Sequence, residues 1–274
     1  MKQETRPTVR DDPRVSRTVG SASTRRGGGM AVELEGATAL VTGGTGGVGR
    51  AVAAALAGRG AEVLLGYARD EKAAETAVAE LTAAGGKVSA VRADVGNPAE
   101  VADLYRGIAA RYGRLDILVH AAAAMTPMSA VDPDVEACER DLATVLGPLL
   151  HGAKDLVALL RPGGRVIAVS STGARRVVPG YVGQGIAKAA LESAVRYLAV
   201  QLAPSGIAVN VVSPGKVACG EPDEIAKRVA GRSPLKRLVT AVEVADVVAL
   251  LCRPEAAHLH GQVLTVDGGL SLLA

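Results

Sequence analysis

The sequence predicts an α/β fold: a doubly wound seven-stranded parallel sheet in a single domain, preceded by a disordered basic N-terminal arm. Three observations predict it. From residue 36 onward, short runs rich in Val, Ile and Leu alternate with helix-patterned segments. Such near-continuous apolar strands belong to a parallel sheet covered on both faces. A glycine-rich turn follows the first strand, and no repeat or composition break interrupts the alternation afterwards. A chain of 274 residues with 49% hydrophobic residues has ample material for one large core.

Each element has its own signal. Residues 37–42 form an apolar strand ending in the glycine turn, and residues 48–59 a helix with Val48, Val52, Ala55 and Leu56 on one face. Residues 61–67 are a second strand. Residues 71–84 are an Ala-rich helix stopped by Gly85-Gly86, and residues 87–92 a third strand. Pro98 opens a helix over 98–112, where a missing N–H costs nothing. Residues 115–121 are a fourth strand. Residues 134–160 are helical with a break expected at Gly147-Pro148, followed by a strand over 164–170. A long helix spans 181–203 and a strand 207–212. Helices over 222–231 and 242–252 and a last strand over 262–266 complete the pattern.

Composition excludes several functions. There are five Tyr and no Phe or Trp, so a stacking surface for single-stranded nucleic acid has almost nothing to stack with. Residues 1–30 hold seven Lys/Arg and three acids, a charge of +4 in a chain of +3, so the body carries −1 and offers no basic face for DNA. Those residues have no apolar run, unlike a secretory signal, and their charges, prolines and Gly27-Gly28-Gly29 predict disorder. No run approaches 18 consecutive apolar residues, so no membrane span is expected. Cys138, Cys219 and Cys252 lie far apart without ligand spacing, which predicts free thiols in a cytoplasmic protein and no metal site.

The turn Thr42-Gly43-Gly44-Thr45-Gly46-Gly47-Val48-Gly49 lies between strand and helix. Glycines there permit a tight turn and close approach of backbone to a diphosphate, and the helix N-terminus offers free N–H groups. No Lys-Ser/Thr pair ends the turn, which argues for a dinucleotide over a nucleoside triphosphate. Gly43, Thr45, Gly47, Val48 and Gly49 are the candidate contacts in this Rossmann-type unit. The second strand ends Tyr67-Ala68-Arg69 with no acid at its tip. Arg69 suits a 2′-phosphate, which favours NADP over NAD; the alternative is a solvated Arg69 paired with Asp70.

From residue 36 onward the chain resembles the short-chain dehydrogenase/reductase family. Thr42, Gly43, Gly47 and Gly49 meet its TGxxxGxG pattern. The resemblance implies that Asp94 and Val95 contact the adenine, that Ala121 lines the cofactor, and that Pro214 and Gly215 flank the nicotinamide with Val217 near its carboxamide. Val266-Asp267-Gly268-Gly269 resembles the closing strand. The catalytic region departs from the usual Tyr-x-x-x-Lys: four before Lys188 stands Gln184, and Thr144 stands near the place of the family's Asn. Tyr181 precedes Lys188 by seven, a spacing similar to that of enoyl-acyl-carrier-protein reductases of the type III kind. Ser171 fits the family's Ser position. The resemblance implies Tyr181, Lys188 and Ser171 as catalytic residues, NADPH as cofactor and a homo-oligomer.

The spacing has a chemical use. Seven residues of helix place Tyr181 about 10 Å along the axis from Lys188, against about 6 Å for position 184. Reducing an enoyl thioester puts hydride on Cβ while charge builds on the carbonyl oxygen, so the stabilising hydroxyl must stand farther from the nicotinamide. Tyr181 would bind the enolate oxygen, its acidity raised by Lys188, which also holds the ribose. Gln184 can serve neither as acid nor as base. Other readings stay open: Tyr181 as a packing residue, Ser171 as a turn cap, a carbonyl reductase or alcohol dehydrogenase acting on a secondary metabolite, or a pseudoenzyme that binds NADP only. His120 is expected to line the ribose or nicotinamide cleft. Residues 213–240 are expected to form a substrate lid. Met125, Met128, Val177 and Val178 are candidates for an apolar slot, and Arg175 and Arg176 for binding a phosphopantetheine or carrier protein; a solvated charged loop is the alternative for the two arginines.

Overall fold

The computed structural model describes residues 33–273; the expected disordered arm lies outside them. Seven parallel strands run in the order β3-β2-β1-β4-β5-β6-β7. They are β1 (Thr38–Thr42), β2 (Glu62–Tyr67), β3 (Lys87–Arg92), β4 (Leu115–His120), β5 (Leu160–Val169), β6 (Ala208–Pro214) and β7 (Val263–Val266). The order reverses between β1 and β4, and the crevice at their carboxyl ends is where such sheets bind ligands. All of β1 and β6 and most of β4 are buried, as their Val/Ile/Leu runs require.

Eight helices cover the sheet among the described residues: α1 (Gly47–Ala57), α2 (Glu71–Ala83), α3 (Pro98–Tyr112), α4 (Val135–Leu150), α5 (Ala153–Leu159), α6 (Val182–Leu202), α7 (Glu224–Arg232) and α8 (Ala241–Leu251). The core has two layers. One packs Val101, Leu104, Val145, Leu149, Leu191 and Val195 against Leu40, Leu118 and Val209. The other packs Val52, Leu56, Val244 and Val248 against Val41, Val119 and Val212. Thr240 and Glu243 start α8 with a capping box.

The helix break expected at Gly147-Pro148 is misplaced. Pro148 lies inside α4, which continues to Leu150, and the chain turns at His151-Gly152. Pro148 has no N–H for the Thr144 carbonyl, but the helix survives because neighbours bind that turn. Tyr105 donates its hydroxyl to Pro148 O at 3.1 Å, and His120 lies against the Val145 carbonyl. A side chain at Gly152 would meet the Tyr105 ring at 2.3 Å, so the turn falls where only glycine fits. The stretch Val135–Leu159 is long and apolar enough for a membrane span by length and composition, but α4 packs on α6 and α5 on α3.

Candidate active site

The glycine turn builds the first half of the site. Gly43 has φ +67°, and a Cβ there would lie 2.7 Å from the Ala122 backbone. A Cβ at Gly49 would lie 2.1 Å from Gly43 O, so the first turn of α1 folds onto the loop only with glycine present. α1 has no side-chain cap and no acid in its first turn, and open space surrounds Gly47. An uncapped N-terminus with its N–H groups facing a cavity is what an anionic diphosphate requires.

That cavity, of about 380 Å³, is lined by Gly43, Thr45, Tyr67, Arg69, Asp94, Val95 and Ala121 among others. Seven sequence-predicted residues from four loops thus meet in one cleft. Gly47, Val48 and Gly49 form the adjoining helix turn. Asp70 caps α2, accepting from Ala73 N at 2.8 Å, and is not the partner of Arg69. Among the described residues Arg69 has no ion-pair partner, which leaves its guanidinium available to a phosphate. These features fit a phosphorylated dinucleotide.

His120 corrects the sequence reading. It lines no cleft; it is fully buried under the switch point. Its Nε2 donates to Val145 O at 2.9 Å, which fixes the tautomer, and its Nδ1 accepts from the Thr42 hydroxyl at 2.7 Å. Burial, then the nearby Lys188 charge, push its pKa down to about 3. It is a neutral strut tying β1 and β4 to α4.

The second half lies where α6 begins. Tyr181 is the residue before α6, and its N–H reaches Val178 O. Its ring lies against Gly173, where a Cβ would come within 2.7 Å of ring carbons Cδ1 and Cε1. Ser171 Oγ accepts from Gly173 N at 3.1 Å, so the turn-cap reading holds. The same hydroxyl lies near the Tyr181 phenol. Burial raises the phenol's pKa, the Ser171 hydroxyl lowers it and the Asp141 carboxylate raises it. The net direction is upward, opposite to the expectation from Lys188. Lys188 is 3% exposed and donates Nζ to Val169 O at 2.8 Å. Burial lowers its pKa to about 8, against the raising influence of Asp141.

Gln184, four before Lys188, fills the usual tyrosine seat. It is 2% exposed and donates Nε2 to Ala124 O, on the rim of the nucleotide cleft. A role for Gln184 in positioning that loop was not legible in the sequence. Asp141 was also missed, being an ordinary acid in an amphipathic helix pattern; its burial depends on α6 packing over it.

A second cleft, of about 720 Å³ and largely apolar, is lined by Met128, Val177, Val178, Tyr181, Gly185 and Ile186 among others. Met125 is not part of it and stands exposed. Both arginines line this cleft, stay exposed to solvent and also have protein partners. Arg175 Nε donates to the buried Glu192 at 2.8 Å, which also accepts from Ser170; Arg176 donates to the Ser271 carbonyl. Pro214 ends β6, Gly215 N donates to Val266 O at 3.0 Å, and Val217 pairs with Val239. None of these three lines either cleft. Residues 213–240 are structured by that bridge and by α7.

A βαβ sheet with an uncapped glycine turn at its switch point, and a Tyr and a buried Lys on the helix after β5, defines a nucleotide-dependent oxidoreductase. Residues 43–271 match the family described as Enoyl-(Acyl carrier protein) reductase, and the chain belongs to the short-chain dehydrogenase/reductase family. It is 40% identical over 246 residues to 1-cyclohexenylcarbonyl-CoA reductase of Streptomyces collinus, covering 86% of this chain and 87% of that protein. It is 33% identical over 240 residues to 3-oxoacyl-[acyl-carrier-protein] reductase of Synechocystis sp., covering 85% and 96%. A short-chain dehydrogenase of Burkholderia cenocepacia, solved in complex with NADP, superposes with a TM-score of 0.82 at 32% identity, covering 87% of this chain and 99% of that one.

Proposed function

We propose that this reductase uses NADPH to reduce the double bond of an enoyl thioester, linked to CoA or to an acyl carrier protein. The observation that carries this reading is the state of the two candidate seats on α6. Gln184, in the usual tyrosine seat, is buried, bonded to Ala124 O and unable to donate a proton in turnover. Tyr181, one turn upstream, opens onto an apolar cleft beside Ser171. The Streptomyces relative is named for reduction of a cyclohexenylcarbonyl thioester, which supports the same chemistry.

Bound NADPH supplies the hydride. Arg69 holds the 2′-phosphate, and the α1 N-terminus receives the diphosphate. Lys188 fixes the ribose hydroxyls. Asp94, Val95 and Ala121 would line the nucleotide; Pro214, Gly215 and Val217, which line neither cleft, are given no contact with it. The apolar cleft along Val177, Val178 and Met128 takes the acyl chain and excludes water. As hydride reaches Cβ, the Tyr181 phenol donates a hydrogen bond to the growing enolate oxygen, and Ser171 orients the phenol. Its raised pKa keeps the phenol protonated at neutral pH, as a hydrogen-bond donor must be.

A second reading, carbonyl reduction by the same Tyr181, draws on the Synechocystis relative, whose name denotes a 3-oxoacyl substrate. NADPH oxidation with crotonyl-CoA and cyclohexenylcarbonyl-CoA, but not with acetoacetyl-CoA, supports the first reading; the reverse pattern supports the second. Tyr181→Phe lowers turnover by about 10²-fold or more if the phenol acts as proposed, with NADPH affinity retained. The chain is further proposed to act in the cytoplasm as a homo-oligomer. The outward apolar side chains Val135 and Leu150 on α4 and Ile186, Tyr197 and Val200 on α6 offer the surface. Sedimentation at micromolar protein tests the assembly.

A further inference from the structure

The loop that carries Ser171 is gripped by two successive turns of α6. Lys188 donates Nζ to the Val169 carbonyl at 2.8 Å. Glu192, one turn further along the same helix face, accepts at Oε1 from the hydroxyl of the next residue, Ser170, at 2.9 Å. Its other oxygen, Oε2, accepts from Arg175 Nε at 2.8 Å. Ser170 directly follows β5, and Arg175 closes the short helical turn Thr172–Ala174, its N–H bonded to Thr172 O at 3.1 Å. One carboxylate thus holds residues 170–175 at both ends. Glu192 is 3% exposed, whereas the Arg175 side chain is 59% exposed. A carboxylate sealed at that depth is costly unless its oxygens are bonded, and here both are, one of them to a cation. Between the two anchors lie the groups that set the tyrosine. Ser171 Oγ accepts from Gly173 N at 3.1 Å, and the Tyr181 ring lies against Gly173.

We infer that Glu192 is a positioning residue: by clamping Ser170 and Arg175 to α6, its carboxylate fixes Ser171 and Gly173 and, through them, the place of the Tyr181 phenol. Glu192 itself lines neither cleft. It acts on the reaction only through the loop. The inference rests on the proposed role of Tyr181, but the clamp itself does not depend on which acyl group is reduced.

The test compares the full-length wild type with Glu192→Met and Glu192→Gln. Methionine cuts both bonds at similar volume, and an apolar residue in place of a buried ion-pair member is often tolerated by the fold when its partner can reach water, as Arg175 can. Glutamine keeps both bonds: its Oε1 accepts from Arg175, and its Nε2 donates to the Ser170 hydroxyl. Two readouts are taken. The first is the single-turnover rate of NADPH oxidation at saturating crotonyl-CoA, or acetoacetyl-CoA if that is what the wild type reduces. The second needs no substrate. The chain has five Tyr and no Trp or Phe, so its near-ultraviolet dichroism comes from tyrosines alone, and subtracting the spectrum of Tyr181→Phe isolates the band of Tyr181. In Glu192→Met the rate falls by about 10- to 100-fold and the Tyr181 band is lost, while NADPH affinity stays within about twofold. Glu192→Gln keeps the band and a rate within about threefold of wild type. Should Glu192→Met fail to fold, Ser170→Ala cuts one anchor and leaves the Arg175 pair; its rate falls by about three- to tenfold with a weakened band. A folded Glu192→Met with the wild-type rate and band, a Glu192→Gln as impaired as Glu192→Met, a Ser170→Ala with the wild-type rate and band, or equal losses of rate and NADPH affinity would overturn the inference. If the wild type reduces neither thioester, the reductase reading fails, and the dichroism alone decides the clamp.

Discussion

Gly173→Ala is the sharpest probe of where the tyrosine must stand. The added methyl would sit 2.7 Å from Cδ1 and Cε1 of the Tyr181 ring. Ordinary carbon contacts are about 3.5–4.0 Å, so ring or turn must yield by about 1 Å. The turn is held by Ser171 through Gly173 N, by Ala174 N to Ser171 O and by two bonds onto Thr172 O. The ring has the open cleft beside it and moves first. A displacement of about 1 Å in a catalytic group costs on the order of 10²-fold in rate. The expected outcome is a kcat reduced by about 10- to 100-fold, with little change in unfolding midpoint. NADPH affinity, set in the other cleft, stays within about twofold. Stopped-flow NADPH oxidation under single-turnover conditions separates the chemical step from product release. A variant with wild-type single-turnover rate and normal folding would refute the argument that the phenol's position on Gly173 governs the reaction.

Three further outcomes follow from the same geometry. Gly49→Ala puts a methyl 2.1 Å from Gly43 O; the turn must open, lowering stability by about 1–3 kcal/mol and weakening NADPH at least tenfold, as calorimetry would record. His120 is held neutral with a folded pKa near 3 against 6.5 unfolded. The unfolded state therefore binds the extra proton, and stability falls as pH drops from about 6.5 towards 3, by up to about 4–5 kcal/mol. His120→Gln should flatten denaturation midpoints across that window, whereas an unchanged slope would remove His120 as their cause. Arg69→Ala should raise the NADPH dissociation constant by about 10- to 100-fold and leave NADH nearly unaffected; equal losses for both would rule out a 2′-phosphate contact.

The seven strands of a parallel sheet, the glycine turn and most helix limits were legible in the chain alone, because each rests on local rules. Period-2 and period-3.6 patterns, Pro98 at a helix start and Gly85-Gly86 at a helix end depend on neighbours a few residues away. Gly43, Thr45, Tyr67 and Arg69 were legible for a related reason, since a strand–turn–helix unit places its own loop at the carboxyl edge of the sheet; Asp94, Val95 and Ala121 came from the family resemblance. Residues whose role is set by distant packing were not. His120 reads as a cleft residue until Thr42 and the Val145 carbonyl close around it. Pro148 reads as a helix breaker until Tyr105 and His120 bind the surrounding turn. Arg175 reads as free until Glu192 is seen buried beneath it. Sequence by itself thus determined the class of fold, the nucleotide turn and the Tyr-Lys spacing, since backbone geometry translates spacing directly into position. Only the tertiary structure decided which polar groups are sealed from water and against what. Gln184 occupies the tyrosine seat, Asp141 is buried against Gly183 of α6, and the phenol rests on Gly173 because α4, α6 and the β5 loop converge there; burial is a property of the assembled interface rather than of any one segment.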